Sequence, residues 1–365
     1  MIREIKEIKE IYEEIESVPK LAHIVVNKKC NLLCQHCDWP EKFTVDEREM
    51  PEKEWKQFVC SFSQIGGKMI TICGREPFLT KASRSKVAAI ATQAVIDKMA
   101  IGVITNGHFI EKFISEHAGI RFDYFDVSLE GPEDINDIVR GKGSFRKAIK
   151  GLESAVKNKI ADKIFISLTL TNLNIERLGE FVKEISNLGC GNFVFHTLVP
   201  GEYVNSNLKL SDDDFLRLIP KFEALTDVAG ELIVDMYPPS FEDFENVISK
   251  MLPDSEIFLE DNNYLVGRHK DGKLYFRFLN LISAIANAFF VTPEGLAVTP
   301  TAMRQENYLT DILADTRDIL SWRENPSIKE IERLSSKIDG RCVNKKCFVF
   351  CLGQNKNCPM LKERR

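Results

Sequence analysis

Cys30-Asn31-Leu32-Leu33-Cys34-Gln35-His36-Cys37 places three thiols on one short segment, spaced C-x3-C-x2-C. The segment comes directly after His23–Val26, a short apolar run that reads as a strand. Thiolates are soft ligands suited to iron–sulfur clusters. Three of them on one loop can hold three irons of a cubane and leave the fourth iron open to an outside ligand. Zinc is the alternative metal, but it wants a fourth protein ligand close by. His36 is available, yet as the immediate neighbour of Cys37 it is awkwardly placed to share one tetrahedron.

Outward from this loop, residues 23 to 198 alternate β-branched runs with longer amphipathic stretches. Strands are predicted at His23–Val26, Met69–Cys73, Ile101–Thr105, Phe125–Leu129, Ile164–Thr171 and Phe193–Leu198. Helices are predicted at Glu52–Phe62, Lys86–Lys98, Ile110–Glu116, Phe145–Lys157 and Ile175–Leu188. That order implies right-handed βαβ units on a parallel sheet. Six units are too few to close an eight-stranded barrel, so the fold class is α/β, a partial (β/α)6 TIM-type barrel. Functional residues then belong at strand C-termini and in the loops that follow.

After Pro200 the alternation stops in the pattern, and we place a domain boundary there. Residues 1–20 read as an amphipathic helix on Ile5, Ile8, Ile11, Tyr12 and Ile15. Residues 21–200 form the barrel, and 201–365 a C-terminal α+β region. Within that region Ser211 begins a capped helix, its Asp212–Asp214 run capping and solvated. Glu242–Met251 reads as another helix, and Tyr275–Phe278 as strand. Strand pieces across Phe289–Pro300 flank a Pro293-Glu294-Gly295 turn.

The chain has 365 residues, a formal net charge of −5 and a pI near 5.8. It lacks the basic stripe of a nucleic-acid binder, no apolar run approaches the ~18 residues of a membrane span, and the N-terminus has no signal-peptide core. A cytoplasmic location follows, where cysteines stay reduced. Seven of the 10 cysteines fall in two tight groups, which points to ligation rather than disulfides.

The loop motif resembles the signature of the radical S-adenosylmethionine (SAM) superfamily, with His36 as the ring before the third cysteine. Further segments carry the resemblance in order. Gly74-Arg75-Glu76-Pro77 is similar to that family's Gly-Gly-Glu-Pro turn, which grips the SAM amino group. Thr105-Asn106-Gly107 and Ser128-Leu129-Glu130-Gly131 are similar to its Thr-Asn-Gly and Ser-Leu-Asp-Gly segments. The stretch Asp137–Phe145 resembles the one whose arginine, here Arg140, pairs with the SAM carboxylate. Arg75 stands where a second Gly is usual, and Glu130 where Asp is commoner. The resemblance implies a [4Fe–4S] cluster on Cys30, Cys34 and Cys37, with SAM bound through His36, Gly74, Arg75, Glu76, Pro77, Thr105, Asn106, Ser128, Glu130 and Arg140. It also implies reductive cleavage of SAM to a 5′-deoxyadenosyl radical, fed by an electron donor such as flavodoxin or ferredoxin.

Cys342, Cys347, Cys351 and Cys358 form a second group, spaced C-x4-C-x3-C-x6-C. Four thiolates there suit a fully ligated [4Fe–4S] cluster or a zinc site. With the turn at Pro293 and Leu309–Ile312, the segment from about 290 to 365 resembles the auxiliary-cluster domain of SPASM and twitch proteins, although Thr299–Met303 lacks the cysteine a full SPASM domain has there. A second [4Fe–4S] cluster is the expectation. Cys60, Cys73 and Cys190 read as small buried residues and His196 as a pocket-wall histidine; Glu202 and Asp235 are possible substrate contacts, and no catalytic side chain is assigned. The predicted activity is hydrogen abstraction for oxidative modification of a peptide or protein. The alternatives are dehydrogenation of a small molecule such as a sugar or aminocyclitol, and a non-catalytic zinc scaffold.

Overall fold

The computed structural model describes residues 20–37, 48–198, 204–236, 256–260, 264–269, 271–279, 288–298, 312–326 and 329. The predicted N-terminal helix, the helix at 242–251 and all four cysteines of the second group lie outside these residues. Strands β1 (Leu21–Ile24), β2 (Met69–Ile72), β3 (Ala100–Thr105), β4 (Phe122–Ser128), β5 (Ala161–Leu170) and β6 (Asn192–Thr197) lie side by side and parallel. Between them run α1 (Glu52–Gln64), α2 (Lys81–Ile96), α3 (Ile110–Glu116), α4 (Glu133–Arg140), α5 (Ser144–Lys157) and α6 (Leu178–Ser186). The six predicted strands and five predicted helices are all present, and α4 is added to them.

The alternation does not stop at Pro200. Helix α7 (Asp212–Leu225) leads into β7 (Glu231–Met236), which pairs parallel with β6 and extends the βα order by one unit. Strands β8 (Glu256–Glu260), β9 (Tyr264–Arg268) and β10 (Leu274–Leu279) follow, with β10 parallel to β7 and the other two antiparallel. At the opposite end β11 (Ala288–Val291) pairs parallel with β1, then β12 (Leu296–Val298) and β13 (Ile312–Asp315) run antiparallel. The result is one 13-stranded sheet in the order β13-β12-β11-β1-β2-β3-β4-β5-β6-β7-β10-β9-β8. β7 escaped the sequence reading because Glu231-Leu232-Ile233-Val234-Asp235-Met236 alternates little and follows a Pro-bearing helix.

The helices bury their apolar stripes on one face of this sheet. On α1 the stripe is Trp55, Phe58, Val59 and Phe62, at helical spacing, and Phe58 and Phe62 meet the ring of Phe289 edge-on. Helix α2 begins five residues before its predicted start, because Thr80 and Ser83 form a capping box. On α7, Ser211 and Asp214 cap each other as expected. The other sheet face is different in kind. There Tyr124 of β4 lies across Gly102 of β3, where an added Cβ would sit 1.9 Å from the ring, and its hydroxyl meets Thr71 of β2. Side chains that span two strands in this way mark the concave side of the sheet, the interior of the partial barrel.

Candidate functional site

The three-cysteine loop leaves β1 at Val25, whose N–H donates to Val291 O at 2.9 Å. Asn27 shapes the exit: its Oδ1 accepts from Lys29 N at 2.8 Å and its Nδ2 donates to Glu76 O at 2.7 Å. Cys37 N closes a turn on Cys34 O, and Gln35 ties the loop to the end of α4 through Val139 O and Ile138 O. Cys30, Cys34 and Cys37 form no disulfide and are half-buried. Burial pushes Cys34 up to about 11 against the pull of Arg140, and raises Cys30 as well. Among the described residues no three His, Cys, Asp or Glu side chains converge on one point to chelate a single ion. A cubane asks for something else, one thiolate on each of three irons, and this loop offers that.

The Gly74–Pro77 turn is built around Glu76. Gly74 and Arg75 both have positive φ, 68° and 52°, so the departure at Arg75 keeps the left-handed backbone that glycine would take more easily. Glu76 is fully buried. Its Oε1 accepts from Phe78 N at 2.9 Å and Thr105 Oγ1 at 2.8 Å, and its Oε2 from Asn106 N at 2.8 Å. Burial nevertheless raises it to about 7. The carboxylate therefore joins β2 to the end of β3. Asn106 reaches onward: its Nδ2 donates to Asn31 Oδ1 at 2.8 Å and lies 3.9 Å from Cys30 Sγ. Asn31 in turn donates to His108 Nδ1, and His108 Nε2–H bonds Ser144 O.

Glu130 and Arg140 form the next element. Arg140 Nε and Nη2 both bond Glu130 Oε1, at 2.9 and 2.5 Å, while Oε2 accepts from Thr169 N at 2.8 Å. His36 Nε2 lies 3.5 Å from the same Oε1. Burial alone would raise Glu130, but His36 and Arg140 outweigh it and hold its carboxyl below the usual range. Arg140 is raised in return: burial opposes its charge, and Glu130 more than compensates. The expected arginine is thus in place with two of its three nitrogens on an internal carboxylate. Asp137 orders the approach to α5 by accepting from Gly143 N and Phe145 N, and Asn136 links Glu130 N to Ser144 Oγ.

His36, Glu76, Thr105, Asn106, Glu130 and Arg140 are thus joined to the cysteine loop by bonds or ion pairs, and Ser128 ends β4 beside Ser167. Sequence reasoning missed Asn27, Asn31, His108, Asn136 and Asn174, the last donating to Glu130 O and Thr169 O. It also missed α4, although Pro132, then Glu133 and Asp134 in the first turn, with Arg140 in the last, are helix-end signals. Cys73 and Cys190 are buried as expected, whereas Cys60 is only partly so, because it sits on the outer side of α1.

The structure thus gathers the three cysteines, the Gly-Arg-Glu-Pro turn and the buried Glu130–Arg140 pair in the loops at the C-terminal ends of parallel strands of an α/β fold. Residues 24–185 match the Radical SAM superfamily, the family whose motifs the sequence resembles. The Fe-coproporphyrin III synthase of Methanosarcina barkeri is 26% identical over 191 residues, 52% of this chain and 46% of that protein. The mycofactocin maturase MftC of Mycolicibacterium smegmatis is 30% identical over 163 residues, 44% of this chain and 40% of that protein. The matched part therefore spans less than half the length of these curated relatives. The crystal structure of Streptococcus suis SuiB bound to precursor peptide SuiA superposes with a TM-score of 0.67 at 16% identity, covering 99% of this chain and 76% of that one. That likeness concerns the fold. The superfamily implies a [4Fe–4S] cluster and SAM, and the three thiols of Cys30, Cys34 and Cys37, on one loop and outside any disulfide, fit such a cluster. Among the described residues no helix is long and apolar enough to cross a membrane.

Proposed function

We propose that this chain is a radical SAM enzyme of oxidoreductase type that oxidatively modifies a peptide or protein. The observation that carries the reading is the single bonded network running from the cysteine loop through Asn106 to Glu76 and, by way of His36 and Gln35, to Glu130 and α4. Cys30, Cys34 and Cys37 would hold the cluster, which with SAM supplies a 5′-deoxyadenosyl radical able to take a hydrogen atom from an unactivated C–H bond. The carbonyls of the Gly74–Pro77 turn suit the SAM amino group. Arg140, oriented by Glu130, suits a carboxylate. Ser128 stands where it can bond the ribose or methionine end. Asn106 and Asn31 keep the loop against β3, so that cluster and substrate face one interior. Cys342, Cys347, Cys351 and Cys358 would hold an auxiliary [4Fe–4S] cluster. A flavodoxin or ferredoxin would supply the electron.

The peptide reading is supported by the SuiB–SuiA complex and by the maturase among the relatives. The test is anaerobic reconstitution with iron and sulfide, reduction with dithionite, addition of SAM, and chromatography for 5′-deoxyadenosine, with iron counted. Product from the native protein, lost together with about four irons in a Cys30/Cys34/Cys37→Ala variant (one cubane), bears the reading out. Zinc in place of iron and no product would overturn it.

A further inference from the structure

Below the rim just described, the inner face of the sheet carries a second set of ionisable groups. Along β4, β5, β6, β7 and β10 the residues Val127, Ile166, Phe195, Val234 and Phe276 enter the core. Their alternates Asp126, Ser167, His196, Asp235 and Arg277 face the barrel interior, one on each of five neighbouring strands. Asp126 lies two residues before Ser128 on the same face of β4, about 7 Å deeper along that strand, and from there the set climbs to Ser167, which is level with Ser128 in the register.

The bonds along the layer are unequal. Arg277 clasps Asp235 with two bonds, Nε to Oδ1 at 2.6 Å and Nη2 to Oδ2 at 2.8 Å, and this pair cancels its own charge. His196 bridges onward, Nδ1 3.4 Å from Asp235 Oδ2 and Nε2 3.5 Å from Ser167 Oγ. Ser167 Oγ donates to Asp126 Oδ2 at 2.5 Å. There the chain of bonds ends, because Asp126 Oδ1 is buried with no hydrogen-bond partner among the described residues. A wholly structural network satisfies its buried acceptors. One left open is destabilising until a donor arrives.

We propose that Asp126 anchors a substrate-binding site on this inner wall and that its open Oδ1 receives an N–H donor of the substrate, a backbone amide or an ammonium group. Ser167, His196 and Asp235–Arg277 are positioning residues: they hold Oδ2 and so aim Oδ1. The proposal rests on the peptide-modifying reading for its choice of donor. The charges facing Asp126 agree with it. Burial lifts its carboxyl to about 6 and Asp235 adds to this, while Ser167, His196 and Arg140 pull it down. At pH 7.5 Oδ1 is therefore a charged acceptor.

The test uses reconstituted full-length protein with aspartate carboxyls labelled with carbon-13, Asp126 being assigned by the signal lost in Asp126→Asn. N-methylacetamide, as a backbone-amide probe, and n-butylammonium chloride, as a cationic one, are titrated separately at pH 7.5. A saturable shift of the Asp126 resonance is expected. Response to the amide assigns a backbone N–H, and response to the ammonium alone assigns a charged group. Ser167→Ala, which leaves Oδ1 in place, should start from a resonance with a higher titration midpoint and still respond. If neither probe moves Asp126 in folded protein, the proposal is overturned. The deoxyadenosine assay on the same preparation judges the radical chemistry separately, so either idea can fail alone.

Discussion

The rim of the barrel and its inner wall each contain a buried carboxylate raised by desolvation, Glu76 to about 7 and Asp126 to about 6. Their surroundings differ. Glu76 accepts three hydrogen bonds and ties the Gly-Arg-Glu-Pro turn to the end of β3. Asp126 has one oxygen held by Ser167 and the other without a hydrogen-bond partner among the described residues. A carboxylate bonded at both oxygens holds architecture together, and one with an unbonded oxygen is available to a ligand. The rim is a rigid frame for a cofactor, whereas the wall keeps an unfilled acceptor.

The largest expected effect is on the rim. Cys34→Ala should abolish loading of the proposed loop cluster and reduce 5′-deoxyadenosine formation at least ~100-fold, since that cubane would lose one of its three protein ligands. Iron analysis and the product assay check both. Next comes the buried ion pair: Glu130→Gln should destabilise the protein by about 3–5 kcal/mol, because it strands Arg140. A denaturant melt at neutral pH measures this. A melt of wild type taken below pH 4.5 should converge toward the variant. Glu130 is held below its ordinary value, so its contribution is present above the unfolded pKa and lost as pH falls through the folded one.

A third experiment compares the two raised carboxylates through pH. Each binds a proton more readily folded than unfolded, so each contributes stability at acid pH that is lost as pH rises toward 6 or 7. The full loss should be about 3 kcal/mol apiece, and melts at pH 5 and 7.5 should show roughly half or more of it, since pH 5 already lies above both unfolded values. In Asp126→Asn that part of the slope should vanish while the part due to Glu76 remains. A slope unchanged in the variant would break the comparison. The smallest effect belongs to packing. In Gly151→Ala the new Cβ on α5 would lie 2.0 Å from Gly107 O, a backbone atom that cannot give way locally. A loss of about 1–3 kcal/mol is expected, read as a lower melting temperature.

The cysteine spacing, the ordered strand-end segments and the βα alternation were legible in the chain because each is local, written within a dozen residues. Three things were not. β7 shows weak alternation and gains its place only from β6 and β10 on either side. The partner of Arg140 was hidden because a substrate carboxylate and Glu130 satisfy an arginine equally well on paper. The alignment of Asp126, Ser167, His196, Asp235 and Arg277 depends on five strands drawn from residues 122 to 279.

By itself, then, the sequence determined the ligand loop, the turn motifs and the class of sheet, since spacing and periodicity follow from covalent geometry. Only the tertiary structure decided which carboxylates are occupied and which one is open. That outcome depends on strand register, and register is set by packing across the whole sheet.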